Sequence, residues 1–544
     1  MHPYVVEEFT DAERAVLRRY FTNLEGPVFA LVNLPEVVKG ALFARYSRSS
    51  KSLRRLFLDE FVGDLDVTGD QGVDATVGLD RADDLYQRIF YEYGDDSVAQ
   101  LGGVHLACEQ ASNILTKVLE RGRIMSYLEQ STRYLGYDRR LDNGLFRYYR
   151  DHAVLESRYG ARYVGEMDRM FDTYAQLLPR LTEFLAKKYP KTPEDTDFVY
   201  RQAIRAKALD AVRGLLPASA LSNLGIYASG QAYEALLLRM RAHPLHEVRE
   251  YSQLMLEELR KVIPSFLKRI DVPERGLAWT QYLAETRGAT RQVLGSLVED
   301  LETIEPRESV RLVAFDPEGE TRVLEAIVFA NSSLSDADAS SAVARMTAPE
   351  RERLMGAYVG ERRNRRHRPG RAFERTDYRF ELVTDYGAFR DLQRHRLLTV
   401  EWQSLTVDLG YDVPDVIVEA GLSPAYEDSL ARSAEFYYDL REEFPDAAQY
   451  AVALAFRIRY SMQMNAREAL HLIELRSGPQ GHPSYRRVAH EMVRQIREVA
   501  GHGAIADAMS YVDFSDTDLE RLEAERAAER NRAKRDYSPK IMRK

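Results

Sequence analysis

The sequence predicts an α+β protein made of two tandem copies of one domain, each with a mixed sheet and long helices, the first copy being helix-rich. The main observation is an arginine motif that occurs twice, as Arg121-Gly-Arg123 and as Arg394-His-Arg396. Each motif is followed at similar spacing by Gln-Ser and then by Leu-Gly-Tyr-Asp. The motifs are 273 residues apart in a chain of 544. A repeat spaced by half the chain length indicates a duplication.

A second pair of landmarks follows in the same order. The first copy has Gln-Ala-Tyr-Glu-Ala-Leu before Arg239, the second has Asn-Ala-Arg-Glu-Ala-Leu before Arg476, and each arginine is followed by His-Pro. Arg121 lies 118 residues before Arg239, whereas Arg394 lies 82 residues before Arg476. The first copy therefore contains an insertion, which we place within 140–210. The predicted organisation is a first copy, a helical connector, a second copy and a charged tail, over residues 1–265, 266–306, 307–515 and 516–544.

Local patterns predict the individual elements. Apolar residues at helical spacing indicate helices, alternating apolar runs indicate strands, and turn signals mark where an element begins or ends. In the first copy these patterns predict helices within 29–60 after Pro35, a turn that starts a helix at 94–97, an apolar segment over 101–120, long helices over 150–215 and an amphipathic helix over 232–239. A helical connector is predicted over 265–308. In the second copy they predict a β-hairpin of 310–315 and 323–329 closed by 316–319, a strand over 378–383, and a helix that ends at Arg394.

Composition excludes several classes of protein. No apolar run approaches the roughly 20 residues that span a bilayer, and the N-terminus lacks a basic segment followed by an apolar one. The single cysteine, Cys108, rules out an internal disulfide framework. A net charge of −9 disfavours a protein that coats nucleic acid. We therefore expect a cytoplasmic protein without membrane contact, for which nucleic acid is not the partner.

The Arg394, His395 and Arg396 motif allows two interpretations. Cations at the end of a helix complement its dipole and act as a simple cap. Two guanidiniums and an imidazole also supply many donors for a pyrophosphate or for charge that develops on a ring. The motif by itself favours the cap.

The segment 126–134 of the first copy combines hydroxyls, a carboxylate and a guanidinium. Ser126, Glu129, Ser131 and Arg133 could together hold a uracil-like base edge and a phosphate, or they could form an ordinary polar turn. The second copy has Trp402 in place of the glutamate and Thr406 in place of the arginine. Its loop is therefore predicted to be a poor phosphate binder.

The late helix shows the opposite pattern, because here the second copy keeps the polar residues. Asn465, Arg467, His471 and Arg476 could contact a ligand or form a solvated helix face, and the first copy retains only Arg239 of this set. The run 362–371, with His367, contains seven Arg or His in ten residues and could bind nucleic acid, a dinucleotide phosphate or only solvent. We predict no metal site, since His243 and His246 lack a third ligand at suitable spacing.

Together these residues resemble the flavin-dependent thymidylate synthase family. Its signature is Arg-His-Arg, a hydroxyl residue shortly after, and then Glu-x-Ser-x-Arg-Tyr, followed later by Asn-x-Arg and Leu-Arg. The second copy is similar over about 307–515 and the first over about 30–260. The matching residues are Arg394, His395, Arg396, Asn465, Arg467 and Arg476 in the second copy, and Arg121, Arg123, Ser126, Glu129, Ser131, Arg133, Arg213 and Arg239 in the first.

The resemblance implies an enzyme that uses FAD, NADPH and methylenetetrahydrofolate to methylate dUMP to dTMP without a protein nucleophile. It also implies four assembled domains with each site between subunits. The substrate-binding residues would be Arg121, Ser126, Glu129, Ser131, Arg133, Arg213 and Arg476. The cofactor-binding residues would be Arg394, His395, Arg396, Asn465, Arg467, His471 and His367.

Each copy departs from the family pattern in a different place. The first has Gly122 where the motif has histidine and Asp95 where the family has a flavin-contacting histidine, while the second lacks the loop arginine. We therefore expect complementation, in which the loop of the first copy faces the late residues of the second and one composite site survives per pair of copies. The chain would be a fused pseudo-dimer, and a homodimer of chains would rebuild the four-domain assembly. The alternative is a non-catalytic relative that binds nucleotide or RNA through residues 362–371.

Overall fold

The computed structural model describes residues 4–34, 36–60, 100, 102–141, 143–193, 195–298 and 309–515, together with five isolated positions between 519 and 530. The predicted turn at 94–97 and most of the charged tail lie outside these residues. In the part described, no helix is long and apolar enough to cross a membrane.

The chain contains two four-stranded sheets with the same strand order. The strands are β1 Val28–Leu31, β2 Gly103–Ser112, β3 Met125–Glu129, β4 Leu221–Ser229, β5 Val310–Phe315, β6 Asp377–Asp385, β7 Thr399–Trp402 and β8 Arg457–Asn465. The order is β1-β2-β4-β3 in the first sheet and β5-β6-β8-β7 in the second. All ladders between the described strands are antiparallel, so the predicted mixed sheet is wrong in strand direction. Spacing between motifs could not reveal direction, because long connections permit either pairing.

Helices accompany both sheets along the chain, which confirms the α+β class. In the first half they are Asp11–Leu17, Glu36–Tyr46, Leu53–Glu60, Asn113–Leu119, His152–Glu156, Gly160–Lys188, Asp197–Val212, Gly230–Arg241, His246–Arg260 and the connector helix Ala278–Val298. In the second half they are Gly319–Ala330, Asp336–Arg345, Ala348–Val359, Tyr386–Leu392, Asp415–Glu419, Ser423–Arg441, Ala466–Arg476, Pro483–Glu498 and Gly503–Ala508. Short 3-10 segments are Arg213–Leu215, Pro264–Asp271, Arg371–Arg375 and Ala447–Ala451, and one π-turn is Pro273–Leu277.

The central strand pairs repeat residue for residue. In the first sheet Val104, Leu106 and Cys108 lie opposite Ala228, Ile226 and Leu224, and in the second Tyr378, Phe380 and Leu382 lie opposite Met464, Met462 and Tyr460. All twelve side chains are buried, because alternate residues of a strand share one face. The first sheet has a β-bulge between Cys108 and Ala111, which adds one residue to β2. This shared register confirms the tandem duplication.

Two local predictions are wrong. Residues 323–329 do not form the second strand of a hairpin but lie in the helix Gly319–Ala330, and β5 pairs with β6 instead. The helix forms because Val323, Leu324 and Ile327 fall on one face and are buried there. The helix before the second arginine motif ends at Leu392 rather than at Arg394.

The residues form two compact units, and each combines segments from both halves of the sequence. The first unit contains β1–β4 and is composed of residues 1–175, 215–304 and 428–453. The second unit contains β5–β8 and is composed of residues 176–214, 305–427 and 454–544. Arg213 therefore belongs to the second unit, although its sequence position lies in the first repeat.

Candidate functional site

A buried histidine forms the centre of the candidate site in the second unit. Asp385 caps the helix Tyr386–Leu392 by accepting a hydrogen bond from the Ala388 amide at 2.9 Å, and the helix leads directly into the arginine motif. His395 lies 3.2 Å through Nδ1 from Oε1 of Glu468, and its Nε2 accepts a hydrogen bond from Nε of Arg476 at 3.0 Å. The late helix Ala466–Arg476 thus supplies both partners of the motif histidine.

These contacts define the protonation of the histidine. Arg476 always carries a hydrogen on Nε, so Nε2 of His395 must be the acceptor and the ring proton lies on Nδ1, where it is donated to Glu468. Burial, and then the charges of Arg476 and neighbouring cations, hold the pKa of His395 well below its usual value. The imidazole is therefore neutral and fixed in one tautomer.

Glu468 changes its charge near neutral pH. Burial raises its pKa from 4.5 to about 7, although Arg368, Arg467 and Arg396 oppose that increase. The contact between the neutral His395 and Glu468 is therefore a hydrogen bond rather than a permanent ion pair. A proton bound at this position can be released near neutral pH.

Arg213 lies beside the same motif in the second unit. Its guanidinium is 3.6 Å from Asp391 and 3.9 Å from Asp385, and Asp391 also pairs with Arg394. Arg213 and both carboxylates are buried. A Cβ added to Gly387 would lie 2.9 Å from Nη2 of Arg213, so a glycine here admits the guanidinium. One residue from the first half of the sequence thus lies beside the motif of the second half.

An open cavity of about 540 Å³ adjoins His471. Its lining is strongly basic and consists of Arg365, Arg366, Arg368, Arg467, His471 and Leu475. Nδ1 of His471 is buried and has no hydrogen-bond partner among the described residues. Burial and the neighbouring Arg368 and Arg365 lower the pKa of His471 to about 4, so this ring is neutral. The cavity suits an anionic ligand.

The other predicted residues of the late helix lie nearby. Asn465 caps the helix with its side-chain oxygen Oδ1, which accepts a hydrogen bond from the Glu468 amide at 2.9 Å. The side-chain NH₂ group of Asn465 can still donate a hydrogen bond. Nε of Arg467 donates to the Pro369 carbonyl at 2.9 Å, and Nη1 lies 3.5 Å from Glu374. Arg396 is exposed.

His367, which was assigned to the cofactor, is exposed and lies within its own loop. Its Nδ1 accepts from the Arg363 amide at 3.3 Å, and its Nε2 is 2.9 Å from Nδ2 of Asn364. The ring therefore contributes to the conformation of the loop.

In the first unit the loop residues are divided between the surface and the interior. Ser126 and Arg121 are exposed, Ser131 is half-buried, and Glu129 and Arg133 are buried. Glu129 lies 3.2 Å from Nζ of Lys117, so this carboxylate has a buried cationic partner. The Ser131 hydroxyl accepts from the Arg133 amide at 3.2 Å, which shapes the turn.

The first unit cannot reproduce the histidine arrangement. A Cβ on Gly122 would lie 2.5 Å from Sδ of Met125 and 2.7 Å from the hydroxyl of Tyr127, and this hydroxyl donates to the Gly122 carbonyl at 3.0 Å. Tyr127 therefore occupies the space that a histidine side chain would need. Glu234, the counterpart of Glu468, is bound instead by Arg269 through contacts of 2.6 and 3.1 Å.

Sequence reasoning missed two participants, Glu468 and Asp391. Glu468 occurs in both copies of the Glu-Ala-Leu landmark and was used only to align them, although this repetition was a signal. Asp391 lies three residues before Arg394, and this local spacing was also a signal. Arg368 belongs to the basic run 362–371, but only the fold brings it close to His471. Asp391 is important because it already neutralises part of the positive charge of Arg394 and Arg213.

Three possible metal ligands also meet here. One atom each from His395, Glu468 and His471 lies within 4.8 Å of the others. Both nitrogens of His395 are already engaged, and Arg476, Arg368 and other guanidiniums surround the group. Like charges disfavour a divalent cation at this position, so the donor set fits an anion better.

The fold and the site define a class: a duplicated α+β domain in which, within the described ranges, one copy has a basic centre built on a buried histidine and the other has Gly122 at the matching position. The family model of Thy1, thymidylate synthase complementing protein, matches residues 41–265 and again 311–501. The chain belongs to this family, which confirms the resemblance to flavin-dependent thymidylate synthases.

Curated relatives share nearly the full length of both repeats. The chain is 38% identical over 524 residues to a UPF0159 protein of Chlamydia muridarum and 40% identical over 527 residues to one of Chlamydia pneumoniae; each alignment covers 95% of this chain and 98% of the relative. A UPF0159 protein of Thermoplasma acidophilum is 32% identical over 516 residues, covering 90% of this chain and 97% of that protein. Among solved structures, the UMP/dUMP methylase PolB from Streptomyces cacaoi bound with 5-Br dUMP is 19% identical, with a TM-score of 0.31, and covers 37% of this chain and 94% of that chain.

Proposed function

We propose that the chain is an FAD-dependent thymidylate synthase that converts dUMP to dTMP, with methylenetetrahydrofolate as carbon donor and NADPH as reductant. The observation that carries the proposal is the buried contact of His395 with Glu468 and Arg476, which joins the arginine motif to the late helix in the one copy that keeps both. The membership in the thymidylate synthase complementing protein family supports the same reaction.

The residues present fit the anionic part of FAD. Arg467 and His471 line the basic cavity, and the buried Nδ1 of His471 lacks a hydrogen-bond partner there. The residues that would hold the cofactor are Arg394, His395, Arg396, Asn465, Arg467 and His471. FAD supplies the redox chemistry when it is bound. The protein contributes guanidiniums that stabilise negative charge, and a neutral His395 that adds no positive charge of its own.

For dUMP, the proposal divides the binding residues between the two copies. Arg213 and Arg476 are cations of the second unit, and either can pair with a phosphate or with charge that develops on the uracil ring. Ser126, Glu129, Ser131, Arg133 and Arg121 would come from the loop of a first copy. Two features of the first copy support a single competent site per pair of copies. Gly122 replaces the motif histidine, and Glu234 is paired with Arg269.

The test compares equivalent arginines in the two copies. The purified chain is loaded with FAD, and dUMP-dependent NADPH oxidation is measured with methylenetetrahydrofolate while dTMP is determined directly. Arg476→Ala should abolish dUMP binding, because it removes a cation and the hydrogen bond to His395. Arg133→Ala should do the same from the loop. Arg239→Ala, the matched control in the first copy, should leave binding nearly intact. Equal losses at Arg239 and Arg476 would contradict complementation.

One observation favours the second candidate, a non-catalytic nucleotide-binding relative. Asp391 already pairs with Arg394 and lies 3.6 Å from Arg213, so two cations of the site have an internal counter-charge. Colour distinguishes the candidates. A protein that takes up FAD and turns yellow supports the synthase, whereas a protein that binds dUMP but cannot be loaded with FAD supports the non-catalytic relative.

A further inference from the structure

The basic run 362–371 separates into residues used inside the loop and residues that point to the cavity. Arg362 is almost fully buried and pairs with Glu474, with two contacts of 2.6 Å. Arg363 lies 3.7 Å from Glu361, and Arg371 lies 3.1 Å from Glu374. These three arginines therefore have carboxylate partners. The remaining guanidiniums of the run are those of Arg365, Arg366 and Arg368.

The loop is held in one conformation by hydrogen bonds within it and to Tyr511. Nε of Arg362 donates to the His367 carbonyl at 2.5 Å, and the Tyr511 hydroxyl donates to the Arg362 carbonyl at 2.7 Å. The Asn364 side chain accepts from the Arg366 amide at 2.9 Å. Because the ion pair of Arg362 with Glu474 anchors the loop to the late helix, the arginines that follow are presented to the cavity without a large ordering cost.

Three guanidiniums share this cavity without an ion-pair partner. Arg365, Arg366 and Arg368 make no side-chain hydrogen bond or ion pair with any residue in the described ranges, and all three line the cavity of about 540 Å³. Arg467, which lies 3.5 Å from Glu374, and His471 complete its wall. The buried Glu468 interacts electrostatically with Arg368, so part of the positive charge is balanced. An anion bound in the cavity would relieve the repulsion that remains between the guanidiniums.

We propose that Arg365, Arg366 and Arg368 form a site for an oligophosphate, such as the triphosphate chain of a nucleotide. A single phosphate brings at most two charges and would leave part of the cluster uncompensated. A chain of three phosphates presents adjacent anionic oxygens, which match the forked donors of three guanidiniums. This site lies at the cavity that the proposed function assigns to the anionic part of FAD. It rests on that proposed function only in sharing Arg467 and His471 with FAD.

Binding is measured by calorimetry on the full chain without added FAD or dUMP. The probes are sodium tripolyphosphate, pyrophosphate, orthophosphate, ATP and a single-stranded RNA. We expect tripolyphosphate and ATP to bind similarly, about tenfold or more tighter than orthophosphate, with pyrophosphate between them and with affinity falling as salt is added. Equal affinity for the three inorganic probes would overturn the proposal. RNA binding that exceeds tripolyphosphate and increases with length would also overturn it, in favour of a nucleic-acid surface.

A matched pair of variants locates the site. Arg365→Gln/Arg366→Gln/Arg368→Gln should weaken tripolyphosphate binding by about tenfold or more. Arg363→Gln/Arg371→Gln alters the same loop at arginines that already have carboxylate partners, and should change binding by less than about threefold. Similar losses in both variants would show that only net charge matters and would refute the site. FAD content and dTMP formation are recorded separately, so a failure of the proposed reaction leaves the binding result interpretable.

Discussion

Glu468 gives the most direct test of the electrostatics of the site. In the folded protein, burial raises its pKa from 4.5 to about 7. The folded state therefore holds the proton more tightly than the unfolded chain does. This carboxyl group contributes its stabilisation below pH 4.5 and loses it as the pH rises through about 7. Between about pH 5 and pH 8 the loss is about 2–3 kcal/mol for this one group.

Glu468→Gln should remove that pH dependence. The amide oxygen can still accept the hydrogen bond from Nδ1 of His395, but no buried charge forms at high pH. In urea unfolding of the full chain, the variant should gain about 2–3 kcal/mol relative to the wild type when the pH is raised from about 5 to about 8. Parallel pH profiles for the two proteins would refute the reasoning.

Glu234→Gln is the matched control, because Glu234 occupies the same position in the first repeat. Its carboxylate pairs with Arg269 at 2.6 Å. Neutralising this group leaves the guanidinium without its partner, so the control should lower stability at about pH 8 rather than raise it. A gain in both variants would mean that the effect at Glu468 does not arise from its particular burial.

Three further outcomes are expected. Gly122→Ala should destabilise the fold by about 1–3 kcal/mol in thermal unfolding, because its Cβ would lie 2.7 Å from the Tyr127 hydroxyl. Tyr127→Phe in the same chain should restore part of the lost stability. If it restores none, the strain does not arise from the Tyr127 hydroxyl. Arg362→Ala should lower the free energy of unfolding by about 3–5 kcal/mol in urea, since it leaves the buried Glu474 without its guanidinium partner. A decrease below about 1 kcal/mol would contradict the anchoring role of Arg362. Cys108 should resist a thiol reagent in the native state and react at once in denaturant, because burial raises its pKa and excludes the reagent; rapid native labelling would contradict this.

The duplication and the difference between its copies could be predicted from the sequence. The two arginine motifs and the two Glu-Ala-Leu landmarks keep their order, and the sheets then show the same register opposite Val104 and Tyr378. The hairpin prediction failed at 323–329, because a short apolar run fits a helix or a strand until its neighbours decide which face is buried. The helix Gly319–Ala330 buries Val323, Leu324 and Ile327 together, which helical spacing permits and the alternation of a strand does not.

The candidate site was predicted in its residue types but not in its contacts. His395, Arg476 and Arg213 were named from the motifs, whereas Glu468 was treated as a landmark and Asp391 was overlooked. Hydrogen bonds across 73 and 81 residues of chain, as at His395, leave no local pattern in the sequence. The charge balance of the site therefore could not be derived before the fold was known.

The sequence by itself determined that the chain is a duplicated α+β protein of the thymidylate synthase complementing type, and that its two copies have kept different polar residues. Repeats and motifs are linear information, so they can be read without coordinates. Only the tertiary structure decided that Arg213 belongs to the second unit, that Tyr127 fills the space of the missing histidine, and that Arg365, Arg366 and Arg368 converge on one cavity. These facts depend on which distant segments pack together and on burial, and burial is what gives Glu468 a proton that it can release near neutral pH.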